Sequence, residues 1–152
     1  MLPKTAEYAL RAVVWLAINV DQREAADTLA ARTKVPRRYL NKVLQDLVQA
    51  GLVTSQSGPG GGYALAVPPE KVTILDVVNA VSPLKTSRQF PLRLPSHSRL
   101  CPLQQELDRV YAETEKALGR VTVAWLLQST STIVPLCDVS KISSKRQSSP
   151  RK

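Results

Sequence analysis

The segment from residue 35 to residue 66 contains two different spacings of apolar residues. In its first half they recur every three or four positions, which is the spacing of one buried helix face. These residues are Tyr39, Leu40, Val43, Leu44, Leu47 and Val48. Pro36 suits the first turn of such a helix, and Gly51 suits its end. The second half has two short runs, at 52–55 and 63–66, joined by a stretch with four glycines and a proline. The pattern therefore predicts a helix followed directly by a β-hairpin.

The polar face of the predicted helix carries side chains that suit contact with DNA. They fall at i, i+3, i+4 and i+7 and form one stripe, which consists of Arg38, Asn41, Lys42 and Gln45. An arginine fork fits guanine N7 and O6, and an Asn or Gln amide can pair with adenine. Lys42 and Arg37 can hold phosphates, and Tyr39 is expected in the core or on a phosphate. The alternative is an ordinary solvated face. Because a glycine-tipped hairpin follows directly, the stripe favours a recognition helix with a wing.

Two helices are predicted ahead of the recognition helix, at residues 3–20 and 25–33. A tight turn at 34–35 would join the second of them to the recognition helix, which is the helix-turn-helix arrangement. In the first helix, Val14 and Trp15 widen the apolar arc beyond a single face. That helix is expected to be buried on more than one side, either by the core alone or by the core and a second subunit.

A fourth helix is predicted at residues 74–81, with Thr73 as its N-terminal cap. Residues 82–100 then lose all periodicity and contain three prolines and four basic residues, which indicates a mobile basic loop. Residues 129–152 are rich in Ser, Lys and Arg and predict a disordered basic tail. Residues 1–81 are therefore expected to form the DNA-binding domain.

A long helix is predicted from Pro102, and a short closing helix completes the segment 101–128. The long helix has a narrow apolar stripe, closer to a coiled-coil seam than to a domain core. The stripe includes Leu103, Leu107, Val110, Tyr111 and Leu118. A helix of this kind usually packs on a copy of itself, so we expect a homodimer. The predicted fold is mainly α: a winged helix-turn-helix with a two-stranded wing and a long C-terminal dimerisation helix.

Charge and composition narrow the function classes. The net charge of +9 suits an anionic partner, although residues 138–152 alone carry five basic and one acidic side chain. No apolar run reaches the roughly 20 residues of a membrane helix. The N-terminus lacks the shape of a signal peptide, so a cytoplasmic location is expected. Two cysteines and one histidine leave little from which to build a metal site or an enzyme, and we expect no cofactor.

Five short motifs occur in this order along the chain: Thr-Ala-Glu-Tyr-Ala-Leu-Arg-Ala at 5–12, Val-Pro-Arg-Arg-Tyr-Leu at 35–40, Ala-Gly-Leu-Val at 50–53, Gly-Pro-Gly-Gly-Gly-Tyr at 58–63 and Val-Thr-Val-Ala-Trp-Leu-Leu at 121–127. Together they resemble the Rrf2 family of bacterial winged-helix transcription regulators. The resemblance implies a homodimer, joined through the long helix, that binds a palindromic operator. In such a protein the wing residues would lie at the adjacent minor groove; they are Ser57, Gly58, Pro59, Gly60 and Gly61.

The chain also departs from the family pattern. Many members hold an iron–sulfur cluster with three cysteines before the long helix, and here Cys101 alone matches the last of them. Asn41 and Ser57 stand where members commonly have Glu and Arg, so we expect an operator different from that of the iron–sulfur cluster regulator of the family. Cys101 is interpreted as a seam residue or as a redox sensor at a helix start. The leading hypothesis is a DNA-binding repressor without a cluster. A redox or metal sensor of the same fold and a protein-interaction module are the alternatives, and a small-molecule or protein effector stays open.

Overall fold

The computed structural model describes residues 2–84 and 102–128. Within these ranges the elements are α1 (Lys4–Ile18), α2 (Ala26–Thr33), α3 (Arg37–Gln49), β1 (Val53–Gln56), β2 (Gly62–Leu65), a 3₁₀ helix (Pro69–Lys71), α4 (Ile74–Val81), α5 (Pro102–Gly119) and α6 (Val123–Gln128). Most of the predicted mobile loop and the whole predicted tail lie outside the described residues.

Helix α1 lies at the centre of the core and packs against α2, α3, α4 and α6. Its buried residues cover most of its circumference: Ala6, Ala9, Leu10, Ala12, Val13, Val14, Trp15, Leu16 and Ala17. A helix that is apolar on nearly all sides is stable only where other elements surround it. Val14 and Trp15 are already buried within one protomer, so the core alone accounts for the wide apolar arc.

The turn between α2 and α3 is short, and its backbone conformation, burial and hydrogen bonds keep it in one geometry. Lys34 adopts a left-handed conformation with a φ of 57°, and Val35 is buried directly after it. Pro36 lies one residue before α3 rather than within its first turn, and its carbonyl accepts from the backbone N–H groups of Tyr39 and Leu40 at 3.0 Å each. Proline lacks an N–H and has a fixed φ, so it suits this position. The turn therefore fixes the direction in which α3 leaves α2.

Helix α3 ends in a Schellman motif at Gly51. The Leu52 N–H donates to the Leu47 carbonyl at 3.1 Å, and the Gly51 N–H donates to the Val48 carbonyl at 3.0 Å. Gly51 has a φ of 76°, a conformation that glycine adopts without steric cost. The chain reverses at this glycine and enters β1 directly.

Strands β1 and β2 form an antiparallel hairpin in which Val53 faces Leu65 and Gln56 faces Gly62. We call the hairpin with its connecting residues 57–61 the wing. On its outer side β2 also pairs with the chain ahead of α2, because Glu24 and Tyr63 exchange backbone hydrogen bonds of 2.8 and 2.9 Å. The wing is therefore attached to the helix-turn-helix at its base.

The C-terminal segment returns to the same core. Thr73 and Asp76 form a capping box at the start of α4, as the predicted cap requires. The Ile74 N–H donates to the Val121 carbonyl at 3.0 Å, and Val123 of α6 is fully buried. Helix α5 packs against α4.

The predicted fold class is confirmed: the described residues are mainly helical, with a two-stranded antiparallel sheet and a long C-terminal helix. The strands differ from the prediction by one residue. β1 begins at Val53 and β2 begins at Gly62, because the antiparallel register pairs Val53 with Leu65 and Gln56 with Gly62. Within the described ranges, no helix combines the length and the apolar character that crossing a bilayer requires.

Candidate nucleic-acid interface

One face of α3 is polar and exposed along its whole length. Its side chains are Arg38, Asn41, Lys42 and Gln45, all of them exposed. The opposite face packs into the core through Leu40, Val43, Leu44 and Leu47, which are fully buried. Burial of these four residues fixes the rotation of α3 about its axis, so the polar stripe faces outward.

Arg37 connects α3 to α2 at the start of this stripe. Its Nε donates to Oδ1 of Asp27 at 2.7 Å, and its Nη1 donates to Oδ1 of Asn41. The predicted phosphate contact for Arg37 thus belongs to a side chain that already has two partners within the chain. Asp27 was missed from the sequence, because no local spacing places α2 against the start of α3.

The position of Tyr39 differs from the predicted apolar face of α3. Its spacing predicts the buried side of α3, with a phosphate contact as the alternative, and it is 45% exposed rather than buried. Its ring centroid lies 6.0 Å from that of Tyr8 on α1, and the Arg38 guanidinium carbon lies 4.5 Å from the Tyr39 centroid. The Tyr39 hydroxyl also accepts a hydrogen bond from Nη2 of Arg38. Tyrosine has an apolar ring and a polar tip, so this position at the domain surface suits it.

Lys42 lies at the middle of the stripe and forms an ion pair within α3. Its Nζ lies 2.6 Å from Oδ1 of Asp46, one turn further along. The spacing of four residues is a signal that the sequence alone contains. A phosphate that binds Lys42 must therefore compete with a carboxylate.

The tip of the wing is exposed, as contact with a large partner requires: Ser57, Gly58, Pro59 and Gly60 are all exposed. Two of the wing glycines are required by the fold of the wing itself. A Cβ on Gly61 would lie 2.3 Å from the Gln56 carbonyl oxygen, and one on Gly62 would lie 2.6 Å from that of Glu24. These two glycines are needed by the chain itself rather than by a partner. Gly58 and Gly60 have φ values of 88° and 73° and face open space.

The apolar stripe of α5 is largely uncovered in the protomer. Of the described residues of α5 none is buried, and Leu103, Leu107 and Val110 are 67%, 42% and 47% exposed. Tyr111 and Leu118 are half-buried. Beside the stripe, hydrogen bonds from Arg109 hold the pKa of the Glu106 carboxyl below its ordinary value.

The donor set of the chain does not fit an iron–sulfur cluster held by one protomer. Such clusters take several cysteine thiolates, and Cys101 and Cys137 are the two cysteines of the sequence. Both lie outside the described residues, as does His97. Within 2–84 and 102–128, no group of three His, Cys, Asp or Glu side chains is placed to hold a metal ion. The redox role considered for Cys101 stays a hypothesis.

A family model decides the identity of this fold. The model described as Rrf2, an iron-dependent transcriptional regulator, matches residues 2–129. The chain belongs to the Rrf2 family. The resemblance expected from the five motifs is thereby confirmed. Rrf2 proteins are transcription regulators rather than enzymes, so the prediction that the chain is not an enzyme is confirmed.

Three curated relatives are HTH-type transcriptional regulators. Those of Aquifex aeolicus and Rhodopseudomonas palustris (BadM) are each 42% identical, over 49% and 51% of this chain. The chain spans about half the length of these two, 51% and 49%. An rrf2-like regulator of Rhodobacter capsulatus is 30% identical over 84% of this chain and 85% of its own.

Solved structures share the fold at low sequence identity. IscR of T. potens has a TM-score of 0.70 at 22% identity, covering 86% of this chain and 88% of its own. CymR, the global cysteine regulator of B. subtilis, has a TM-score of 0.68 at 22% identity, covering 86% and 98%. These structures thus share the arrangement of helices and wing described above.

Proposed function

We propose that the chain is a homodimeric repressor that binds a palindromic operator. One observation supports the proposal: α3 has the exposed stripe Arg38, Asn41, Lys42 and Gln45, and the wing with its exposed tip is the next element in the chain. A polar helix face of this kind fits the major groove of B-DNA, which is wide enough to admit an α-helix.

Within the stripe the side chains take different roles. Arg38, Asn41 and Gln45 contact base edges, where forked and amide groups distinguish one base pair from another. Lys42 contacts the phosphate backbone, as does the Tyr39 hydroxyl at the edge of the face. Residues 57–61 of the wing approach the adjacent minor groove. The basic excess of the chain adds attraction for DNA of any sequence.

Dimerisation supplies the symmetry of the operator. Leu103, Leu107 and Val110 form an exposed apolar stripe on α5, and covering it with the same stripe of a second copy removes it from water. A two-fold axis then relates two copies of α3. The half-sites are expected to lie one helical turn apart, or a multiple of it.

Selection of bound sequences from a random pool of double-stranded DNA tests this proposal. We expect enrichment of an inverted repeat, and a template that carries this repeat at its promoter should be transcribed less in vitro when the protein is added. Enrichment of no sequence above the starting pool would contradict the proposal and favour a protein-interaction module. Enrichment of a site without two-fold symmetry would contradict the dimeric arrangement.

A further inference from the structure

Asp27, Arg37 and Asn41 form a continuous hydrogen-bonded chain from α2 to the polar stripe of α3. The Arg37 Nε is 2.7 Å from Oδ1 of Asp27, and the same guanidinium donates through Nη1 to Oδ1 of Asn41. Of the stripe residues, Asn41 is thus connected through Arg37 to a carboxylate on another helix.

The ion pair between Asp27 and Arg37 has little to contribute to folding. The Asp27 side chain is 89% exposed and that of Arg37 is 44% exposed. Ion pairs so open to water add little to stability, because solvent screens them and both side chains lose freedom. The main effect of the Asp27–Arg37 pair is on the orientation of the Asn41 amide.

The contact with Arg37 determines which amide group of Asn41 is available to a base. Since Oδ1 accepts from Arg37, the Nδ2 group, which has two N–H donors, is left for an external partner. In the major groove, guanine offers N7 and O6 as acceptors and thymine offers O4. Adenine offers N7 as an acceptor but has the N6 donor beside it, so a two-bond pair with adenine would instead need the amide oxygen to accept from N6.

We propose that Asp27 is a specificity-determining positioning residue: through Arg37 it orients Asn41 as a donor, so that Asn41 favours guanine or thymine over adenine. This inference rests on the proposed contact of α3 with bases. It also gives Arg37 a role other than the phosphate contact expected from the sequence. Loss of the Asp27 carboxylate frees Arg37 to turn away, and the Asn41 oxygen then becomes available to adenine.

The test uses the full chain and the double-stranded operator that the wild type selects. The Asn41→Ala variant first identifies the base pair whose preference it abolishes, and oligonucleotides then carry each of the four base pairs at that position. The wild type should prefer guanine or thymine over adenine there. Asp27→Ala should reduce this preference roughly tenfold, which corresponds to one lost discriminating contact.

Two further variants separate positioning from general charge effects. Asp27→Glu restores the carboxylate and should restore the preference. Asp46→Ala removes a carboxylate from Lys42 in the same helix, so it should tighten binding to all sequences and leave the preference at the Asn41 position unchanged. Thermal unfolding of Asp27→Ala should match that of the wild type, because the pair is exposed.

Failure of the inference and failure of the proposed function give different results. If the wild type binds all sequences alike, the proposed function is wrong and the role of Asp27 falls with it. If the wild type prefers adenine at the Asn41 position, the inference alone is wrong. The same conclusion holds if a folded Asp27→Ala variant keeps the wild-type preference.

Discussion

The Nζ atom of Lys42 lies 2.6 Å from Oδ1 of Asp46, one turn further along α3. The lysine side chain is 68% exposed and the aspartate side chain 14%, so the ammonium group lies at the surface, held by a carboxylate nearer the protein. A point charge of this kind suits a phosphate rather than a base edge, which needs directed donors and acceptors.

Replacement of Lys42 by alanine should therefore weaken binding to operator and scrambled DNA by the same factor. The logarithm of the binding constant should depend less steeply on the logarithm of salt concentration, by about one unit per lost phosphate contact. Titrations at several salt concentrations measure both quantities. An effect confined to the operator would instead place Lys42 on a base.

The wing tip should also be sensitive to added side chains. Gly60 has a φ of 73°, and a Cβ on Gly61 would collide with the Gln56 carbonyl oxygen. Changing both glycines to valine should distort the tip and reduce operator affinity about tenfold, within the about 1–3 kcal/mol expected for a lost contact with DNA. The tip is exposed, so the thermal unfolding of the core should change little.

Ala66→Val is the matched control for the wing. It adds two methyl groups at an exposed position just beyond β2, away from the tip. We expect it to bind the operator like the wild type. If the control and the double glycine variant bind the operator with equal affinity, the wing tip is not part of the DNA interface.

Local patterns in the sequence were enough to predict most of the fold. The buried face of α3 followed from helical periodicity, since Leu40, Val43, Leu44 and Leu47 are buried as their spacing requires. The end of α3 at Gly51 and the cap at Thr73 followed from chemistry within a few residues. The outward stripe on α3 was predictable for the same reason.

Features that depend on contacts between distant segments were not predictable in this way. Tyr39 has the spacing of a core residue, but its position depends on Tyr8 of α1, and the resulting site is at the surface. The need for glycine at position 62 comes from the backbone of Glu24, far away in the sequence. The Asp27–Arg37 pair likewise exists only because the short turn at Lys34 sets α2 against α3.

The apolar stripe on α5 should hold two copies of the chain together. Changing Leu107 and Val110 to glutamate would bury carboxylates at the seam, and each unpaired buried charge costs about 3–5 kcal/mol. The double variant should sediment as a monomer at micromolar concentrations at which the wild type is a dimer. Ala112→Glu, at another exposed position on the same helix, should leave the dimer intact. A monomeric wild type would rule out this interface.

Titration of wild type and Arg38→Ala on the selected operator and on scrambled DNA tests the central claim, that the outer face of α3 recognises a base sequence. Arg38 is exposed at the start of that face and packs on the Tyr39 ring. Loss of a two-pronged contact to guanine should cost about 1–3 kcal/mol on the operator and relax the preference at one base pair per half-site. Binding to scrambled DNA should fall much less. Unchanged operator affinity in a folded, dimeric Arg38→Ala variant would contradict the account.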